Sequence, residues 1–171
     1  MGHDRLPADF VAFCHDAHAP LVRALTHVTG DRGLAEEFAQ EALIRAGDRW
    51  ERVGRLDSPL GWAFHVGANL ARSRFRRLGA ERRALQRHGA APAHHDPDAA
   101  DAVAVRAALD LLSPVQREAV LLRHDLGLSA AEAGEVLGRS AGAVRVLTHR
   151  ALARMRAALD VSLTEEESRH A

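Results

Sequence analysis

The sequence predicts an all-α protein built from two small helical domains joined by a flexible linker. Apolar residues recur at steps of three and four, and no stretch alternates as a half-buried strand would. Residues 88–98 interrupt this pattern with Pro92, Pro97 and no large apolar side chain, the composition of a linker. At 171 residues the chain is long enough for two small domains.

The elements follow in order. A first helix is expected over about residues 9–29, marked by Phe10, Phe13, Leu21, Leu25 and Val28 and stopped by Gly30. Asp31 caps a second helix reaching about Trp50, whose core stripe is Leu34, Ala35, Phe38, Ala39 and Ala42. Ser58-Pro59 is a cap followed by proline at the first helical position. It opens a third helix to Arg77 or beyond, with Leu60, Phe64, Ala71, Phe75 and Leu78 as its inward stripe. Helix returns at about 99–112. Ser113-Pro114 with Gln116 repeats the cap and completes a capping box, starting a helix to about His124.

Ser129 with Glu132 is another capping box, and Gly138 sits where a helix takes a left-handed terminal residue. Ser140 caps the last helix, whose inward stripe is Val144, Leu147, Ala151 and Met155. A helix, a three-residue turn and a second helix form a helix-turn-helix, whose second helix enters the major groove of DNA. The opposite side of that helix carries Arg145 and His149, with no acid among residues 136–156. The acidic segment 161–171 is expected to fray.

Composition sets the outer limits. Lysine plus arginine and aspartate plus glutamate both total 23, so net charge gives no argument for a polyanionic partner. Its distribution does. Residues 72–87 hold seven arginines against Glu81, and residues 139–156 hold five arginines against no acid. Every one of these cations is arginine because the chain lacks lysine. It also has a single Asn, a single Ile and no Tyr, the signature of GC-rich coding. One cysteine, Cys14, excludes an internal disulfide and a multi-cysteine zinc site. Among 11 histidines only His15/His18 and His94/His95 are grouped, without further ligands at metal spacing. No phosphate loop or nucleophile motif is present, so neither an enzyme nor a cofactor is expected. No apolar run approaches a membrane span and no signal peptide is evident, so a cytoplasmic location is expected.

Two more faces stand out. The outer side of the third helix offers Trp62, Val66, Asn69, Arg72, Ser73, Arg76 and Arg77. Guanidiniums bind phosphates, an amide reads base edges and an indole stacks on an unpaired base. On the second helix Glu36, Glu37, Gln40, Leu43 and Ile44 form an apolar patch with an acidic rim, a pattern of partner binding. One reading of these features is a stand-alone helix-turn-helix regulator that binds duplex DNA by itself.

Three stretches in order carry a family resemblance: residues 30–46 (GDRGLAEEFAQEALIRA), 59–77 (PLGWAFHVGANLARSRFRR) and 112–123 (LSPVQREAVLLR) running into the helix-turn-helix. Over nearly its whole length the chain resembles the extracytoplasmic-function (group IV) sigma factors of bacterial RNA polymerase. The resemblance implies a sigma-2 domain over 1–87, a linker over 88–98, a sigma-4 domain over 99–160 and an acidic tail over 161–171. It implies a factor that binds core RNA polymerase and directs initiation at promoters with a −35 duplex and a melted −10 element. Glu36, Glu37, Gln40, Leu43 and Ile44 would bind the β′ clamp helices, and the β flap would be a second polymerase contact. Trp62, Asn69, Arg72, Ser73, Arg76 and Arg77, with the loop at 51–58, would hold the −10 bases. Arg139, Ser140, Arg145, Thr148 and His149 would contact the −35 element. An anti-sigma factor is the implied regulator.

The chain departs from the family pattern in places. Ser73 stands where aspartate is usual, and Leu147-Thr148 replaces a commoner Arg-Leu pair. Ala130, Ala133 and Gly134 replace an aromatic, an isoleucine and an alanine. A helical glycine costs about 1 kcal/mol relative to alanine, which predicts a C-terminal lobe of modest stability.

Overall fold

The computed structural model describes residues 7–85 and 100–169, with side chains over 7–79 and 104–159. The expected linker, 88–98, lies outside the described residues. The chain divides into two compact units between Asp96 and Pro97. All regular structure among the described residues is helical.

The N-terminal unit packs α1 (Ala8–Thr29), α2 (Arg32–Gly47), α3 (Trp50–Val53) and α4 (Pro59–Leu85). Gly30 ends α1 in the left-handed conformation at φ 71°, and Asp31 caps α2 by accepting from Leu34 N at 2.8 Å. The Ser58 hydroxyl accepts from Gly61 N at 3.0 Å at the start of α4. The core pairs few large side chains (Leu21, Leu25, Phe38, Phe64) with many alanines, including Ala35, Ala39, Ala42, Ala63, Ala68 and Ala71. Small residues let the helices approach closely. At Gly67 a Cβ would stand 2.7 Å from Leu25 Cδ1, so any larger residue there would require the Leu25 side chain to shift where α4 meets α1.

The second helix stops at Gly47, short of the expected Trp50. Packing explains the break. Phe10 lies over Gly47, where a Cβ would meet its ring at 2.8 Å. The chain then turns Trp50 against Phe10 and Phe13, at ring separations of 5.1 and 5.0 Å. Its indole Nε1 donates to Asp9 Oδ2 at 2.9 Å, tying α3 to the start of α1. Cys14, Leu56 and Trp62 pack around this cluster.

The C-terminal unit contains α5 (Ala100–Asp110), α6 (Pro114–Val120), α7 (Ala130–Leu137) and α8 (Ala141–Arg169). Beyond Val120 the expected helix widens into a π-helical turn, Leu121–Asp125, closed by Leu126 N donating to Leu121 O at 2.9 Å. That turn buries Leu121 and Leu122 together, and Arg123 then donates to the Leu128 carbonyl. The last helix continues to Arg169 instead of fraying from 161. From Ala143 onward the sequence has neither glycine nor proline to stop it.

Both capping boxes form. In the second, Glu132 N donates to Ser129 Oγ at 3.2 Å and Ser129 N donates to Glu132 Oε2 at 2.6 Å. The Ser129 hydroxyl and then its backbone N–H hold the Glu132 carboxyl below the usual carboxylate range. A depressed folded pKa means stabilisation that is present above the unfolded value, about 4.3, and lost as pH falls through the folded one. Ser129→Ala is therefore expected to cost the C-terminal unit about 1 kcal/mol at neutral pH, with a smaller gap to wild type below pH ~4. Thermal unfolding followed by circular dichroism at both pH values measures it. A gap that widens on acidification would contradict the assignment.

Candidate nucleic-acid and protein interfaces

The helix-turn-helix is assembled around one close approach. Gly138 adopts φ 63°, and Arg139 N donates to Gly134 O at 2.8 Å, folding the turn back onto α7. A Cβ at Gly134 would stand 2.5 Å from the Arg139 carbonyl oxygen, so the glycine is what lets the turn close. Its small size serves the packing of the turn, a role that its helix propensity alone does not reveal. Ser140 then caps α8, accepting from Ala143 N at 3.2 Å.

On α8, Val144 and Ala151 are fully buried. Thr148 joins them at 6% exposure, its Oγ1 donating to the Val144 and Arg145 carbonyls at 2.8 and 3.1 Å. It is four residues from Val144 and three from Ala151, so it has to share their inward face. Thr148 is accordingly removed from the DNA-contact set. Arg139, Ser140, Arg145 and His149 are exposed, and so are Val146 and Arg150, which sequence reasoning passed over. An unbroken inward stripe of Val144, Thr148 and Ala151 would have pointed to both.

On α4 Asn69, Ser73, Arg76 and Arg77 are exposed and Arg72 is half-buried. Arg72 Nη2 donates to the Asn69 side-chain carbonyl, which leaves the Asn69 NH₂ to be offered outward as a donor. Burial, then the charge of Arg76, lowers the Arg72 pKa. Burial, then Arg72, also lowers that of His65, which disfavours a charged imidazole beside this arginine cluster. Trp62 is half-buried against the Phe10–Trp50 cluster, so only part of its ring is available for stacking. Phe75 and Leu78, expected in the core, are 38% and 43% exposed.

On α2, Glu37, Gln40 and Ile44 are exposed along one line and Glu36 is half-buried beside them. Leu43 is not part of this face. At 8% exposure it lies in the core, on the row of Ala39 and Ala46. The expected pair of aliphatics reduces to Ile44, at 60% exposure. Glu36 pairs with Arg32 at 3.1 Å, and Glu37 meets Arg74 of α4 at 3.7 Å. That contact turns Arg74 toward the acidic face, away from Asn69 and Arg76. Among the described residues no group of His, Cys, Asp and Glu could hold a metal ion, and no helix is long and apolar enough to cross a membrane.

Comparison with known proteins gives these faces a context. The family models described as Sigma-70 region 2 and Sigma-70, region 4 match residues 14–81 and 102–155. The ECF RNA polymerase sigma factor ShbA of Streptomyces griseus is 34% identical, over 87% of this chain and 85% of that protein. The RNA polymerase sigma-E factor of Streptomyces avermitilis is 31% identical, over 94% and 89%. In fold, the chain is similar to the sigma factor RpoE of Bartonella quintana, solved in complex with the anti-sigma factor NepR. That likeness has a TM-score of 0.74 at 23% identity and covers 91% of this chain and 99% of the other. A stand-alone regulator is not favoured, since the N-terminal unit is itself a matched sigma region. With both regions matched in order and relatives aligned along most of its length, the chain belongs to the ECF sigma factors, which direct transcription initiation by RNA polymerase.

Proposed function

We propose that the two units divide the promoter between them. In this reading α8 of the C-terminal unit lies in the major groove of the −35 duplex. The α4 face around Asn69, Arg72, Ser73, Arg76 and Arg77, with the segment 54–58 that follows α3 in place of the expected loop at 51–58, captures unpaired −10 bases. The chemistry differs because the template differs. Duplex sequence is read by a helix in a groove, whereas opened DNA is held by trapping bases out of the stack. The chain supplies no catalytic group of its own and acts by binding. Its site of action is the cytoplasm, beside the template.

The Glu36, Glu37, Gln40 and Ile44 face is proposed as the contact for core polymerase, with the β′ clamp helices as partner. The C-terminal unit is proposed to meet the β flap. An anti-sigma factor belongs to the same proposal, prompted by the neighbour crystallised with one.

The observation that carries the −35 assignment is the exposed ridge of α8, without an acid up to residue 156, standing over a buried underside of Val144, Ala151 and the internally bonded Thr148. Arg145→Ala with His149→Ala should cut transcription from a −35-dependent promoter at least tenfold, each contact contributing about 1–3 kcal/mol. An extended −10 promoter should lose less than about twofold. Run-off transcription with purified core enzyme measures both, and equal losses would remove α8 from the groove.

A further inference from the structure

The exposed ridge of α8 is not uniformly polar. Its crest consists of Gly142, Val146 and Ala153, all exposed, with Arg145 and His149 on one flank and Arg150 on the other. Val146 is 49% exposed although a step of two residues either way, to Val144 or Thr148, leads into the core. One turn before it, a Cβ at Gly142 would meet only its own cap hydroxyl, at 3.9 Å. The crest is therefore low and apolar while its flanks are long and cationic. That profile suits a groove, with phosphates to either side and base edges beneath.

The C5-methyl of thymine is the one apolar group that projects into the major groove; the cytosine C5–H lies flush with the edge, and the other positions that face the groove floor are hydrogen-bond donors or acceptors. An aliphatic crest set against those polar positions would strip them of water and return no hydrogen bond. We infer that Val146 packs on a thymine methyl of the −35 element and makes the factor select thymine at that position. The inference rests on α8 entering the groove, and it adds a specificity-determining residue to Arg145 and His149. The class of ligand is a 5-methylpyrimidine in duplex DNA.

Deoxyuridine tests this without changing any hydrogen bond, because it differs from thymidine only by the methyl group. The assay uses the full chain in holoenzyme, with a duplex promoter recovered by run-off transcription, each −35 thymine on either strand being replaced singly. The wild-type factor should lose about three- to fourfold in affinity at one position, the effect of one buried methyl. Val146→Ala should bind the thymine promoter more weakly by a similar factor and lose less than about 1.5-fold at that position. Unchanged uridine sensitivity in Val146→Ala would overturn the inference. So would indifference of the wild type to every replacement, or a −35 element without thymine. Arg145→Ala separates the two levels. If it weakens −35 binding while uridine has no effect, the Val146 contact alone is wrong; if it has no effect, groove entry itself is wrong.

Discussion

Replacing Gly134 by alanine is expected to destabilise the C-terminal unit by about 2 kcal/mol, roughly 10 °C in melting temperature, and to abolish −35-dependent transcription. Helix propensity argues for the opposite sign, a gain of about 1 kcal/mol. Geometry decides between them. The added Cβ would meet the Arg139 carbonyl at 2.5 Å, and that atom is backbone, so no rotamer change relieves the clash. Relief requires moving the turn, and the turn carries Ser140, the cap of α8. The Arg139 N–H bond to the Gly134 carbonyl breaks with it. Both tryptophans belong to the N-terminal unit, so their fluorescence reports that unit alone. A melt seen by circular dichroism and absent from fluorescence belongs to the C-terminal unit. A variant melting higher than wild type would mean that the turn has slack and that propensity governs.

Gly134 also marks the boundary of what the sequence makes legible. The caps at Asp31, Ser113, Ser129 and Ser140 and the left-handed glycines at 30 and 138 are set by residues within four positions of one another, and the bonds form where the spacing places them. What lies between caps depends on partners distant in sequence. Phe10, thirty-seven residues away, overlies Gly47 at the end of α2, a contact no local window contains. Leu43 reads as outward because it lies three residues from Gln40, although it lies four from Ala39 on the core row, and Thr148 reads as outward only through the family resemblance. Thr148 looks like a surface residue until its hydroxyl is seen to bond the preceding turn, which removes the cost of burying it. Phe75 and Leu78 show the complementary case: their spacing is that of a core stripe, yet they stand 38% and 43% exposed.

Charge reversal at Glu36 and Glu37 together is expected to weaken binding to core polymerase by more than tenfold while leaving helix content unchanged. Exposed ion pairs contribute little to folding, so loss of the Glu36–Arg32 and Glu37–Arg74 contacts should shift stability by less than about 1 kcal/mol. Across an interface the same charges matter more. Like charge set against a complementary patch slows encounter and costs the complex several kcal/mol. Burial of Leu43 sharpens this expectation, because Ile44 is left as the large aliphatic on the face and the carboxylates dominate it. Glu37→Lys alone would also place two cations together at Arg74, so that local repulsion could mimic a lost interface. The pair Glu37→Arg with Arg74→Glu separates the two causes. It restores the contact between α2 and α4 while keeping the reversed charge on the presented face. If the swapped pair binds core polymerase as wild type does, Glu37 serves the bundle; if it stays as weak as the reversal alone, Glu37 serves the partner.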